Sequence, residues 1–222
     1  MSEKSGPDQQ TDEVDRSRRT FIAKVAGLVI TGILGSTGSI TVNAQGRDLS
    51  TMTSLETVSR DDANYESRRG GLIWQAAKPD RQPELIMQAK SVDDVIAAVN
   101  YARIHGKKLI AKSGGHSISA SFMREEGVLL NMLRMQAVEV NPETQTVSAE
   151  PGTWGPSLLN ALEPHGLGFP VARGGSVSIG GFLLGGGLGF NPNTWRIACF
   201  SILAADVVLA DGSFVHVNEN KH

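Results

Sequence analysis

Two glycine-rich stretches set the limits on what this chain can fold into. The first, Lys112-Ser113-Gly114-Gly115-His116-Ser117, follows the apolar run 108–111, so it reads as a tight loop leaving a strand. Adjacent glycines open backbone angles closed to other residues and let the main chain approach a ligand with no Cβ between them. Consecutive N–H groups in such a turn form a concave nest suited to phosphate oxygens. Ser113 and Ser117 add hydroxyls and Lys112 a positive charge, while His116 brings an imidazole that can act as base, ligand or nucleophile. Taken alone, the hexapeptide is also what a plain polar turn looks like. The second stretch, Gly174 to Gly189, is on average glycine at every second residue, interleaved with Val177, Ile179, Phe182, Leu183, Leu184 and Leu188. A flexible linker pairs glycine with serine and charge. This stretch is apolar instead, which implies backbone packed closely against something and one extended ligand shared by the two loops.

The surrounding pattern is α+β. Leu85 to Ala89 reads as a strand. Ser91 and Asp94 have the spacing of a capping box, apolar residues follow at helical intervals, and Gly106 stands where a helix C-terminus wants a left-handed residue. Strand 108–111 then feeds the first loop, completing a βαβ unit. Downstream, 128–132 reads as a strand, 138–149 as a hairpin around Asn141-Pro142, 154–162 as a helix, and 202–217 as a hairpin turning at Asp211-Gly212. The expectation is a βαβ unit followed by an antiparallel-rich sheet with helices, the glycine loops lying along one edge.

Several functions are excluded by what is missing. A net charge of -2 with balanced acids and bases argues against a nucleic-acid surface. One cysteine, Cys199, rules out an internal disulfide or a cysteine metal cluster, and the five histidines show no paired metal-site spacing, so no metal is expected. Neither glycine stretch carries a Rossmann G-x-G-x-x-G opening a helix or a G-x-x-x-x-G-K-[ST] phosphate loop. At the amino terminus, Arg18-Arg19 precede a short, mildly apolar run and Val42-Asn43-Ala44 offers small residues for cleavage before Gln45, a twin-arginine type export signal. The same segment also reads as an uncleaved anchor or an amphipathic surface segment. Its run is too short for a stable span, which needs about 20 apolar residues. The organisation expected is a signal over 1–44, a linker and domain entry over 45–78, and one domain over 79–222.

The two motifs KSGGHSISA and GGSVSIGGFLLGGGLGFN, with the flanking RQPELIMQAKSVDDVIAAVNYARIHG, WGPSLLNALEPHGLGFP and ADVVLADGSFVHV, resemble the PCMH-type FAD-binding domain of the vanillyl-alcohol oxidase superfamily. The nearer likeness is to berberine-bridge-enzyme-like and other FAD-linked bacterial oxidases. The resemblance implies FAD held by Lys112, Ser113, Gly114, Gly115, His116 and Ser117 at the pyrophosphate. Gly175, Ser176, Ser178, Gly180, Gly181, Gly186 and Gly187 would line the rest of the cofactor. It also implies covalent attachment of the flavin through His116, or else a histidine that only hydrogen-bonds the cofactor or orders the loop. Gly174 or Gly175 stands where two-bond relatives carry cysteine, which excludes a double linkage; Ala120 replaces a common glycine, and 191–201 departs from the familiar pattern. Cys199 sits in an apolar context and reads as an inert thiol. No catalytic base is assigned. In such families the substrate domain follows the flavin-binding part, so the expectation is the flavin-holding half of an exported oxidase. That oxidase would act on a small-molecule C–H bond next to oxygen or nitrogen. The competing readings are a non-catalytic flavin-binding subunit or truncated remnant that needs a partner chain, and a degenerate protein that binds nothing.

Overall fold

The short apolar runs near positions 85, 109 and 128 become the parallel part of a sheet, with 128–131 buried throughout, the run near 85 buried at its centre, and the run near 109 at the edge with Ala111 exposed. A computed structural model describes residues 55–221 and the backbone of Gly27–Val29. In it, β2 (Glu56–Ser59), β3 (Leu85–Gln88), β5 (Val128–Asn131) and β4 (Leu109–Lys112) lie side by side in that order, with β2 antiparallel and the other three parallel. Between β3 and β4 runs α2 (Val92–Ile104). It starts on Ser91, whose side chain accepts from the Asp94 amide while Asp94 accepts from the Ser91 amide, and the chain leaves it through Gly106 at φ +60. The expected βαβ unit is present, but β5 occupies the place between its two strands. A parallel crossover leaves that space, and the apolar VLLN of β5, buried at all four residues, fills it.

Strand alternation sorts the core into two layers. On one face Met87, Val128 and Leu130 pack with Ala98 and Ala102 of α2. On the other, Ile86 and Leu129 pack with Val58, Tyr65 and Ile73, and with Ala120, Phe122 and Met123 from the segment just after the first glycine loop. Residues 55–71, expected to belong to a linker and entry, supply β2 and the helix α1 (Tyr65–Gly71). Leu55, Val58 and Tyr65 are few, but they are buried, which draws the segment into the domain.

The second half builds its own core. β6 (Val138–Asn141) and β7 (Thr146–Ala149) form the expected hairpin, whose turn is closed by the Asn141 side chain accepting from the amides of Glu143 and Thr144. Val147, Ala149, Leu158, Leu162, Phe169, Ile179 and Leu183 pack together beneath α3 (Gly155–Leu162) and α4 (Ile179–Leu184). After α5 (Pro192–Trp195), β8 (Ala204–Val208) and β9 (Phe214–Asn218) make a separate two-stranded ribbon. The backbone of Gly27–Val29 (β1) pairs in parallel with Thr146–Ser148. Apart from those three residues, the expected export signal lies outside the described residues.

Met123 is fully buried and anchors the chain leaving the first glycine loop. Met123→Ala is expected to lower stability by about 2–5 kcal/mol and to speed amide exchange selectively over 113–121. Leu158→Ala in the other core should be similarly destabilising but leave that selectivity absent. Exchange measured by mass spectrometry on both variants checks this.

Candidate cofactor site

The loop after β4 is held from both sides through its glycines. A Cβ on Gly115, which has φ +77, would overlap the Leu72 carbonyl oxygen and come 2.8 Å from Cε of Lys112. A Cβ on Gly114 would lie 2.8 Å from the Ser178 hydroxyl and 2.9 Å from the Ser178 amide nitrogen. Reciprocally, one on Gly180 would meet Ser113 Oγ at 2.8 Å and Pro151 at the same distance. The two glycine segments therefore interlock rather than face each other across a gap. The second is pinned by bonds from the Ile179 amide to Thr153 and the Gly180 amide to Pro151, so the start of α4 cannot drift away.

This packing leaves donors without protein partners. Among the described residues, none of the backbone amides of 113–117 donates to a protein acceptor. The Ser178 hydroxyl is buried and has no hydrogen-bond partner. Unpaired buried polar groups are rare because each forfeits its hydration. An anion seated on the loop would satisfy the amides, which is the fit expected for a diphosphate.

Lys112 supplies charge from below. It is 4% exposed and donates only to the Asn131 side-chain oxygen, at 3.1 Å. Burial pushes its ammonium down to about 8. The site extends it into a row, because Glu56, Gln88, Asn131 and Lys112 are in register across all four strands and share one face. Asn131 donates to the Gln88 side chain at 2.6 Å, Gln88 donates back to the Asn131 carbonyl at 2.9 Å, and Glu56 is bridged by Arg68 and Arg134. This polar row lies at the carboxyl ends of the parallel strands, the edge where open α/β sheets bind ligands.

His116 joins the two segments. Its Nε2 lies 2.8 Å from the Ser176 hydroxyl, and its ring stacks on Trp74 with centroids 4.9 Å apart and planes 10° from parallel. Burial, and then the Lys112 charge, lower its pKa below the usual imidazole value, which favours the neutral ring. Neither Trp74 nor Asn131 is legible as a site residue from the amino-acid pattern, since neither falls in a glycine motif. Other expected positions sit further off. Gly175 and Gly181 are exposed, with open space above Gly181. Ser117 is engaged with Ser119 and Ser121 in its own turn. Gly186 and Gly187, at φ +96 and +78, turn the chain after α4 and pack on Ile197 and Ala198, not on the 113–117 loop.

A lysine kept charged in this position should weaken the fold. From an unfolded value of 10.5 to about 8 in the folded state, the cost is about 3 kcal/mol. It is present in full below pH 8 and is relieved as pH rises to 10.5, where the unfolded chain binds more protons than the folded one. Lys112→Met is expected to stabilise the ligand-free protein at pH 7 by part of that amount. Its advantage should shrink between pH 8 and 10.5, read by denaturant titration at each pH.

Comparison with known proteins identifies the family. The family model for an FAD binding domain matches residues 83–218, more than half of the chain. The FAD-linked oxidoreductase penO of Penicillium crustosum is 32% identical over 170 residues, covering 77% of this chain and 38% of that protein. The glucooligosaccharide oxidase of Sarocladium strictum is 33% identical over 145 residues, covering 64% and 29%. Among solved structures, the wild-type BBE-like 1 protein of Physcomitrella patens superposes with a TM-score of 0.71 at 25% identity, over 78% of this chain and 37% of that one. The glucooligosaccharide oxidase of Acremonium strictum, with 6-S-cysteinyl, 8α-N1-histidyl FAD, gives 0.69 at 28% identity, over 78% and 36%. This chain thus spans well under half the length of the relatives it matches. The family match over 83–218 shows that the chain belongs to the FAD-binding domain family of FAD-linked oxidoreductases.

Proposed function

We propose that this chain is the flavin-holding part of an FAD-linked oxidase, and that the run of unpaired amides at 113–117 carries the reading. The loop holds the FAD diphosphate, with the Lys112 ammonium beneath it adding long-range attraction in a low-dielectric setting. Gly175, Ser176, Ser178, Gly180 and Gly181 line the remainder, and Gly186 and Gly187 act by shaping the turn after α4. Bound FAD supplies hydride acceptance from a substrate C–H bond next to oxygen or nitrogen and passes the electrons to an acceptor. His116 carries a single covalent link to the flavin. Support comes from the histidyl FAD of the Acremonium strictum relative and from the half-burial and Lys112 charge that favour the neutral form of this imidazole. The relative's second link is cysteinyl, whereas Cys199 here lies in the 3-10 turn Ala198–Ser201 with its amide bonded to Gly186.

Substrate binding belongs to a further domain or partner chain. The end of α4 and the segment after it expose Leu184 at 91%, Leu188 at 68% and Phe200 at 76%, with Phe190 and Ile197 nearby in the chain. Apolar groups gathered this densely on a surface mark an interface, and the relatives have more than half their length outside the matched region. The oxidase is exported through the Arg18-Arg19 signal, a route suited to proteins folded around a cofactor. No helix among the described residues is long and apolar enough to cross a membrane.

Three outcomes are expected. Purified protein should absorb near ~450 nm, stay yellow after acid precipitation, and release its flavin when His116 is replaced by alanine; colourless protein after FAD incubation would end the reading. Gly115→Ala should lower FAD affinity at least about tenfold, or about 1.4 kcal/mol, whereas Gly70→Ala, with open space around it, should leave affinity unchanged. Replacing Arg18 and Arg19 by lysine should retain the protein in the cytoplasm, as cell fractionation would show; unaltered export would remove the signal assignment.

A further inference from the structure

Trp74 is a large aromatic residue left 53% exposed, while its neighbour Ile73 is 3% exposed and locked in the core. Core packing therefore accounts for Ile73 and not for Trp74. The backbone that presents the indole is also fixed at the site, because the preceding Leu72 carbonyl abuts Gly115 and the Lys78 ammonium donates to the Ile73 carbonyl. What the indole touches is the ring of His116, in near-parallel stacking.

An imidazole on a loop has two soft side-chain torsions and can flip to exchange its nitrogens. Stacking at 4.9 Å and 10° removes freedom of the ring plane, and the Ser176 hydroxyl at 2.8 Å takes up Nε2. Nδ1 has no partner among the described residues. Which nitrogen of a neutral imidazole keeps its proton is set by the bond the other makes. The Ser176 hydroxyl can donate to Nε2 or accept from it; when it accepts from Nε2–H, the free lone pair is on Nδ1.

We propose that Trp74 is a positioning residue which, together with Ser176, clamps His116 as the Nε2–H tautomer and presents the Nδ1 lone pair to the cofactor. The inference rests on the FAD reading for what is presented to, but the clamp itself is a property of the ligand-free chain. Lys112 is the charged group facing the ring. It disfavours a second positive charge and so supports the neutral form.

The test has two arms on the full chain. Nitrogen-15 NMR of the ligand-free protein should show one His116 tautomer protonated at Nε2, titrating below the ordinary imidazole range. Trp74→Leu and Ser176→Ala should each give a mixed tautomer, Trp74→Leu should raise the His116 midpoint toward the ordinary value, and Trp74→Phe should restore the wild-type pattern. In the second arm, FAD is added and acid-stable flavin is followed in time. Trp74→Leu should slow its appearance on the order of tenfold or more while reversible FAD binding, read by absorbance, is kept. A wild-type tautomer and midpoint in Trp74→Leu, or an Nδ1–H tautomer in the wild type, would overturn the clamp. Absence of any FAD uptake by the wild type would instead defeat the functional reading, leaving the first arm to decide the clamp.

Discussion

The site depends on one close approach, the contact of Gly114 with Ser178 and of Ser113 with Gly180. Each glycine lacks the Cβ that would hold the segments apart. With that spacing the loop after β4 and the start of α4 form one surface, although their anchoring cores are distinct. One end is fixed by the parallel sheet and by Phe122 and Met123, the other by Ile179 and Leu183. Because both cores are close-packed, the junction inherits their rigidity. A cofactor meeting it finds donors already in place rather than donors it must organise.

That preorganisation is unfavourable in the ligand-free state. The 113–117 amides, the Ser178 hydroxyl and most of the hydrogen-bonding capacity of the Lys112 ammonium are unpaired in the protein. A fold optimised for stability alone would put an apolar residue at 112, since the side chain is almost wholly buried and the rest of that sheet face is lined by Val58, Ile86 and Leu129. The row from Glu56 to Lys112 instead carries polarity through the sheet, each member in register with the next. Asn131 is its pivot, accepting from Lys112 and from the Leu133 amide while donating to Gln88. Local destabilisation of this kind is common where a fold is shaped by its ligand.

The electrostatics and the ring contacts act on the same atom. Burial and the Lys112 charge favour the neutral form of His116, while its ring stacks on Trp74 and its Nε2 meets the Ser176 hydroxyl. Beyond the junction, Leu184, Leu188 and Phe200 are exposed apolar side chains. The described residues thus gather unpaired polar groups at the glycine junction and expose apolar side chains beyond it.

The amino-acid sequence by itself determined the local structure and the presence of a glycine-lined site. The Ser91–Asp94 capping box, the Asn141 turn and the apolar runs at 85–88 and 128–131 are local signals, because caps, turns and strand burial depend on residues a few positions apart. Gly115 was legible for the same reason, as a positive φ is a property of one residue. What only the tertiary structure decided is which distant groups meet. Strand β5 enters between β3 and β4 and brings Asn131 against Lys112; residues 55–71, sparse in apolar groups, bury enough of them to join the sheet and carry Trp74 to His116. The Ser176 contact spans sixty positions of chain. No periodicity encodes such pairings, because they follow from strand order and from how closely two backbones approach, and those are set by the packing of the whole domain.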